Sequence, residues 1–475
     1  MKRLCIVFSK PEMVKLLVDS GFFDRVFDVF KIDVFLPSGT KRFLKHDNLR
    51  WFEFDPNDTA GRLKSGFFSK IIYLVRLLSY NSSFYPSFGH SFACRHEILE
   101  DAVGSGSVFA IIRVKIIFVL VWLCSQLRFL RLLLPRLQLL NHRRSTILET
   151  DVEFYDFVLT GSIGFGGDLF LIDELRSKSN LLGCLVKSWD NSSNKGCGFN
   201  IFDVVFSWSE HMSEELVNFL DVDRNKIIEV GAPHWATYYD VLSIDNRLLE
   251  RQFDWYESVA AGDRDLIYFP SPTMKMFREN VSVLSFLCCE LDKLYGTDSP
   301  IILFRPHPGY WEKGKIEWTI AHNRELDEFK KLANKYSFLE IDYPKIQDQG
   351  AFVEMAPSSH QYLASIFRLA SCMVSNYSTQ AVEAALLGLP TINISYGQYK
   401  GTSLPNYFVN GFAHFNRVLN YDFVVSAYTP TALLEAVLFS MKEKRRISPS
   451  VVESESSLGV KSHNELSKKI CELVN

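Results

Sequence analysis

Ser375-Asn376-Tyr377-Ser378-Thr379-Gln380-Ala381-Val382-Glu383-Ala384-Ala385-Leu386-Leu387-Gly388-Leu389-Pro390 reads as a loop, a short helix and a stop. The apolar run Leu369 to Val374 precedes it, as a buried strand would, and Thr391 to Ser395 follows as the next strand. Ser375, Asn376 and Ser378 are all good N-cap residues. Gly388 suits a left-handed C′ position, and Pro390 closes the helix. A helix that starts on hydroxyl residues at a strand's end offers N–H groups and a positive dipole end to an anion. Ser378 and Thr379 would add two hydroxyl donors, and Glu383, one turn on, would accept from vicinal sugar hydroxyls. An ordinary capped helix with an exposed Glu satisfies the same residues.

A second stretch points the same way. Ile301-Ile302-Leu303-Phe304 reads as a strand and runs straight into Arg305-Pro306-His307-Pro308-Gly309. Open parallel sheets place ligand contacts at the carboxyl ends of their strands. Arg305 or His307 there would neutralise phosphate oxygens. A plain surface turn is the alternative.

The whole chain sets wider bounds. Its 475 residues exceed one ordinary core, so two or three domains are expected. A formal net charge of −3 gives no support to bulk nucleic-acid binding. Nine scattered cysteines with no C-x-x-C pair fit reduced thiols and a cytoplasmic location. The start Met1 to Ser9 has too short an apolar run for a signal peptide.

Strands and helices alternate from Leu4 to Phe8 onward, which argues for parallel sheets flanked by helices. Leu63 to Tyr80 reads as an amphipathic helix. Val108 to Arg144 breaks the pattern: it carries seven basic residues and no acidic one around an apolar run from Ile116 to Leu127. That run is shorter than the roughly 20 residues that span a bilayer. It fits a helix lying in an anionic membrane interface or a buried helix with snorkelling arginines.

Gly161 to Asp168 then forms a glycine-rich turn after the strand Phe154 to Thr160. Gly166 and Gly167 would let a ligand approach the backbone closely. Lys187-Ser188-Trp189-Asp190-Asn191 puts an aromatic face, a carboxylate and an amide at another strand end, suited to a sugar-like acceptor or to an Asx-capped turn. Trp235 to Asp263 is polar and irregular, and a second run of strands and helices begins at Asp265.

Gly231-Ala232-Pro233 at the end of the first half, with Arg305-Pro306-His307-Pro308 and Ser375 to Glu383 in the second, resembles GT-B fold glycosyltransferases. The likeness is to the bacterial group around CDP-glycerol glycerophosphotransferases and capsule polysaccharide transferases, and it covers about Phe154 to Pro390. It implies two Rossmann-like α/β domains facing a cleft, with a basic, amphipathic helical insertion in the first. The expected division is an acceptor domain at 1–240 with its insertion at 108–144, a crossing at 241–262, a nucleotide-donor domain at 263–445, and a tail with a helix at 446–475.

The expected enzyme is cytoplasmic, and it is peripheral on the inner face of the membrane if Val108 to Arg144 is the interfacial helix and not the buried one. It would move a sugar from a CMP-, CDP- or UDP-type donor to a surface polysaccharide or lipid-linked glycan. Arg305, His307, Ser378 and Thr379 would hold the donor's phosphates and Glu383 its ribose, with Ser271 and Thr273 lining the first loop. Gly166, Gly167, Trp189 and Asn191 would meet the acceptor. Fixed donors on a departing nucleotide phosphate suit metal-independent transfer, and no metal-ligand cluster stands in the sequence. No cofactor is expected, the nucleotide-sugar being a substrate, and no nucleic acid. An inverting enzyme needs a base for the acceptor hydroxyl; Asp168 and Asp190 are the candidates, and either can equally be structural. A polyol-phosphate transferase, a sugar-nucleotide epimerase and a non-catalytic carbohydrate-binding protein are the alternatives.

Overall fold

The computed structural model describes residues 1–8, 20–38, 44–54, 102–140, 153–161, 174–195, 199–235, 247–250, 252–272, 277–311, 316–343, 346–348, 353–355, 359–399, 402–444, 446–448, 454–456 and 462–475, with isolated positions such as Ile71, Val75 and Tyr238. The chain divides into two compact units. The first is Met1–Ala236 with Asn410–His414 and Ser454–Asn475; the second is Thr237–Val409 with Phe415–Glu453.

The first unit is built on seven strands: β1 (Lys2–Val7), β2 (Phe30–Pro37), β3 (Leu49–Phe54), β4 (Tyr155–Gly161), β5 (Ser179–Leu185), β6 (Val204–Ser207) and β7 (Ile227–Glu229). They run parallel in the order β3-β2-β1-β4-β5-β6-β7. Continuous apolar runs such as Leu4 to Val7, buried throughout, are what a sheet covered on both faces requires. Gly183 sits in β5 where any side chain would meet the Phe157 ring, so the sheet packs tightly on an aromatic there. The Asp33 carboxylate on β2 is buried. Asp33 takes hydrogen bonds from Arg50 Nε at 2.7 Å, Arg3 at 2.8 Å and Tyr155 Oη at 2.8 Å, which offsets the cost of burying its charge.

Four helices of this unit matter below: α1 (Val108–Gln126), α2 (Arg128–Leu140), α3 (Glu210–Leu220) and, from the far end of the sequence, α4 (Ser462–Val474). The last places Leu466 and Ile470 in the same core cluster as Phe22, Phe23 and Val26. The sequence read its apolar stretch as running from Ile116 to Leu127. The helix starts earlier, at Val108, where Ser107 Oγ accepts the Ala110 N–H. It takes in Arg113 and Lys115, and at 19 residues is long and apolar enough to cross a membrane by length and composition. The expected helix at Leu63 to Tyr80 lies almost wholly outside the described residues.

The second unit has a six-stranded sheet of β8 (Leu266–Ser271), β9 (Ile301–Pro306), β10 (Leu339–Ile341), β13 (Cys372–Ser375), β14 (Thr391–Ile394) and β17 (Val424–Ala427). Two short antiparallel hairpins accompany it: β11 (Ile346–Asp348) with β12 (Val353–Met355), and β15 (Gln398–Tyr399) with β16 (Thr402–Ser403). The main sheet is parallel, in the order β10-β9-β8-β13-β14-β17. Both large sheets therefore follow the doubly wound pattern, in which strand order reverses beside the first strand. The reversal lies between β1 and β4 in the first unit and between β8 and β13 in the second, and the carboxyl ends of those strands are where such sheets bind ligands.

Candidate functional site

At the reversal of the second sheet, β8 ends on Ser271, β9 on Arg305 and Pro306, and β13 on Ser375. The register sets Pro270 beside Arg305 and Ser271 beside Pro306. The chain leaves β13 through Asn376 and Tyr377. Tyr377 sits at φ 41°, a left-handed conformation that costs a non-glycine residue roughly 1–2 kcal/mol. Three contacts hold it there: its N–H donates to Asn393 Oδ1 at 2.8 Å, its ring stacks on Phe408 at 4.4 Å, and the edge of Phe415 lies 5.6 Å away. Asn376 Nδ2 ties the same turn to Ile394 O at 3.0 Å.

The helix that follows is short, Gln380–Leu386, and its start differs from the expected row of unpartnered N–H groups. Gln380 N–H donates to Ser378 Oγ at 3.2 Å, Ala381 N–H to Ser378 O, and Val382 N–H to Thr379 O. These tight turn bonds engage the donors an anion would have used. Thr379 is the N-cap by position but makes no side-chain cap bond. The anion-binding capacity of this turn therefore rests on the half-buried side chains of Ser378 and Thr379, not on the helix end.

Arg305 also departs from expectation. Its guanidinium is buried, ion-paired with the buried carboxylate of Asp342 and set 5.4 Å over the Tyr362 ring. A charge so matched has little left for a phosphate. His307 is exposed. Gly309 N–H donates to its Nδ1 at 2.9 Å, which puts the ring's proton on Nε2 and makes Nε2–H a donor. The prolines on either side end β9 and begin a tight 3-10 turn, Pro308–Trp311.

Glu383 projects from the short helix toward Tyr238, whose Oη donates to Glu383 Oε2 at 2.7 Å. Burial pushes this carboxyl up to about 7, and the tyrosine's hydrogen bond offsets only part of that. Tyr238 is itself raised well above a normal phenol by burial and by the Glu383 charge. On β8, at the end of β13 and at the start of the short helix, four buried polar atoms make no hydrogen bond: Ser271 Oγ, Ser375 Oγ, Tyr268 Oη and Gln380 Oε1. The Gln380 amide acts on the Tyr268 phenol, and Ser271 on the Tyr310 phenol, each short of good hydrogen-bond geometry. Each such group costs about 1–3 kcal/mol when left unsatisfied, a cost that a polar ligand at the strand reversal would relieve. Thr273 lies outside the described residues.

In the first unit the acceptor-side candidates are placed differently. Trp189 is 2% exposed; its Nε1 donates to Glu455 at 2.7 Å and its ring lies edge-on to His414 at 4.7 Å. It presents no aromatic face to a sugar, because the returning segments 410–414 and 454–456 cover it. Asp190 and Asn191 are buried too, with Ser188 Oγ donating to Asp190 at 2.7 Å and Asn191 Nδ2 at 3.3 Å. Beside them Ser193 Oγ meets His414 Nδ1 and Ser192 Oγ donates to Glu215, both at 2.5 Å. These bonds join α3 to the turn, and Asp190 lies buried among them. Gly166, Gly167 and Asp168 lie outside the described residues.

Asp342, Tyr362, Tyr238, Tyr268 and Gln380 escaped the sequence reading. They are spread over more than a hundred positions, and only Gln380 belongs to a local pattern, where its residue type carries no chemical signal. Asn393 left one visible signal: an amide in the middle of an otherwise buried apolar strand.

Neither a protein-family model nor a curated protein matches this chain. Solved structures do. S. aureus MnaA, in its co-structure with UDP, matches with a TM-score of 0.51 at 9% identity, over 99% of this chain and 96% of that one. A UDP-N-acetylglucosamine 2-epimerase from Listeria monocytogenes, described as putative, matches with a TM-score of 0.50 at 11% identity, over the same shares. With two doubly wound parallel sheets in one chain, the fold is of the GT-B type. At these identities the likeness concerns the fold.

Proposed function

We propose that the chain is a glycosyltransferase that takes a sugar from a nucleotide-activated donor and adds it to a bacterial surface polysaccharide or a lipid-linked glycan. One observation carries the reading. Unsatisfied polar side chains (Ser271, Ser375, Tyr268, Gln380) stand with a half-buried Glu383 of raised proton affinity at the strand reversal of the second sheet. A ligand rich in hydroxyls and phosphate oxygens would satisfy them, and UDP is such a ligand in the S. aureus MnaA co-structure.

In this reading Glu383 Oε1 accepts from a ribose hydroxyl while Tyr238 holds Oε2. His307 Nε2–H and the hydroxyls of Ser378 and Thr379 donate to the phosphates. Negative charge grows on the leaving phosphate as the glycosidic bond breaks, so donors fixed in advance speed its departure. Arg305 keeps a positioning role, bracing the end of β9 through Asp342. The acceptor hydroxyl needs a base to take its proton, and Asp168 of the glycine-rich stretch remains the candidate.

The likeness to a 2-epimerase favours a second reading, in which the same nucleotide site serves an epimerase that needs no acceptor. One experiment separates them. The chain is incubated with CMP-, CDP-, UDP- and GDP-sugars, with and without glycan acceptors. Nucleotide release that depends on acceptor is the expected result. Conversion of UDP-GlcNAc to its 2-epimer without acceptor would establish the second reading. A panel in which no nucleotide raises the melting temperature would overturn both.

A further inference from the structure

Helix α1 is apolar around its whole circumference, yet only one stripe of it is covered. Val114, Ile117, Val121 and Cys124 are buried, and the last three pack with Val75 and Leu134. The opposite face carries Ile112, Ile116, Val119, Leu120 and Leu123, all exposed, with Trp122 at its edge 60% exposed. A helix apolar on all sides belongs inside a core or a membrane, and an apolar surface of this extent marks an interaction site. On α2, Phe129, Leu133 and Leu137 form a second exposed apolar row at helical spacing.

The charges decide what fits that surface. With about 3.6 residues per turn, Arg113 and Lys115 fall on opposite borders of the exposed face of α1, and Arg136 lies beside the apolar row of α2; all three are exposed. No acidic residue occurs between Val108 and Arg144. Apolar residues and an interfacial aromatic bordered by cations match the headgroup region of an anionic bilayer.

The anchoring decides the orientation. Arg131 is buried and binds Asp221 with two bonds, 2.6 and 2.8 Å, while its Nη1 donates to Ser125 O at 2.6 Å at the end of α1. Asp221 is the left-handed C-cap of α3, so one side chain locks α1, α2 and the body of the first unit together. Arg128 adds a bond to Asp223 at 3.0 Å. To cross a bilayer, α1 would have to abandon this lock and its buried stripe and carry Arg113 and Lys115 into hydrocarbon.

We infer that α1 and α2 form a membrane-docking surface, which binds an anionic lipid bilayer with α1 lying in the plane of the interface. The inference is independent of the donor-site reading. Its test is co-sedimentation of the whole chain with preformed vesicles of phosphatidylcholine, alone or with phosphatidylglycerol in equal parts. Binding is expected to the mixed vesicles only and to be released by high salt. Replacing two cations in Lys115→Gln/Arg136→Gln is expected to weaken it roughly thirtyfold. Ile116→Asn/Val119→Asn/Leu123→Asn should abolish it with an unchanged melting temperature, since those side chains are exposed.

Three results would overturn the proposal. One is no binding of the unaltered chain to the mixed vesicles at low salt. Another is a dimer, in the absence of lipid, that the triple substitution dissociates, which would give the face to a second copy. The third is bound protein that alkaline carbonate fails to extract, which would make α1 a spanning helix.

Discussion

Glu383→Gln tests the candidate site through its least comfortable residue. The glutamate carboxyl rises from 4.5 to about 7 in the fold because it is buried. At about 1.4 kcal/mol per pH unit, that gap means the ionised form is strained by about 3 kcal/mol relative to the protonated one. The direction follows from proton binding. Between pH 4.5 and about 7 the folded chain holds a proton that the unfolded chain has lost, so wild-type stability grows as pH falls through this window. Glutamine resembles the protonated form: it is neutral, nearly isosteric, and its carbonyl can still accept from Tyr238 Oη. The variant is therefore expected to be more stable than wild type by about 3 kcal/mol above pH 7, the excess shrinking to nearly nothing by about pH 4.5. Urea denaturation of both proteins across this range measures the difference. The same substitution should weaken nucleotide binding roughly fivefold to tenfold, because a hydroxyl bonds a carboxylate more strongly than an amide. A gain in stability paired with a loss in affinity is the mark of strain kept for function. A stability difference that stays constant from pH 4.5 to 8.5 would refute the raised carboxyl and, with it, the strained-site argument.

Three further outcomes are expected. His307→Ala should lower turnover of a nucleotide-sugar roughly a hundredfold without moving the melting temperature; full turnover would remove Nε2–H from the donor site. Arg131→Met should cost about 3 kcal/mol in chemical denaturation, because the buried Asp221 carboxylate then keeps only its 3.4 Å pair with the solvent-exposed Arg128, and Asp221→Asn in the same chain should recover part of it; equal losses in the single and double variants would refute the lock. Asn393→Ala should destabilise the second unit by about 1–3 kcal/mol, because the Tyr377 N–H then has no acceptor, and should speed hydrogen exchange at that amide; an unchanged exchange rate would show that something else holds the turn.

The sequence by itself determined the architecture of this protein. Apolar strand runs such as Leu4 to Val7 and Ile301 to Phe304, each followed by a turn and a helix, can bury themselves only in parallel sheets covered on both faces. It also located the strand ends of the second unit, since Gly388, Pro390 and the prolines around His307 punctuate the chain locally. Tertiary structure decided which side chains are available. Arg305 is withdrawn into an ion pair with Asp342, a residue 37 positions away, and Trp189 is covered by segments that return more than 200 positions later. The short helix after Tyr377 closes on its own N–H groups because its turn bonds form at tight spacing, which no propensity reveals. Glu383 acquires its raised proton affinity from burial against Tyr238. Charge, exposure and hydrogen-bond satisfaction belong to the neighbourhood of a side chain, and that neighbourhood is assembled from parts of the chain that carry no local signal of one another.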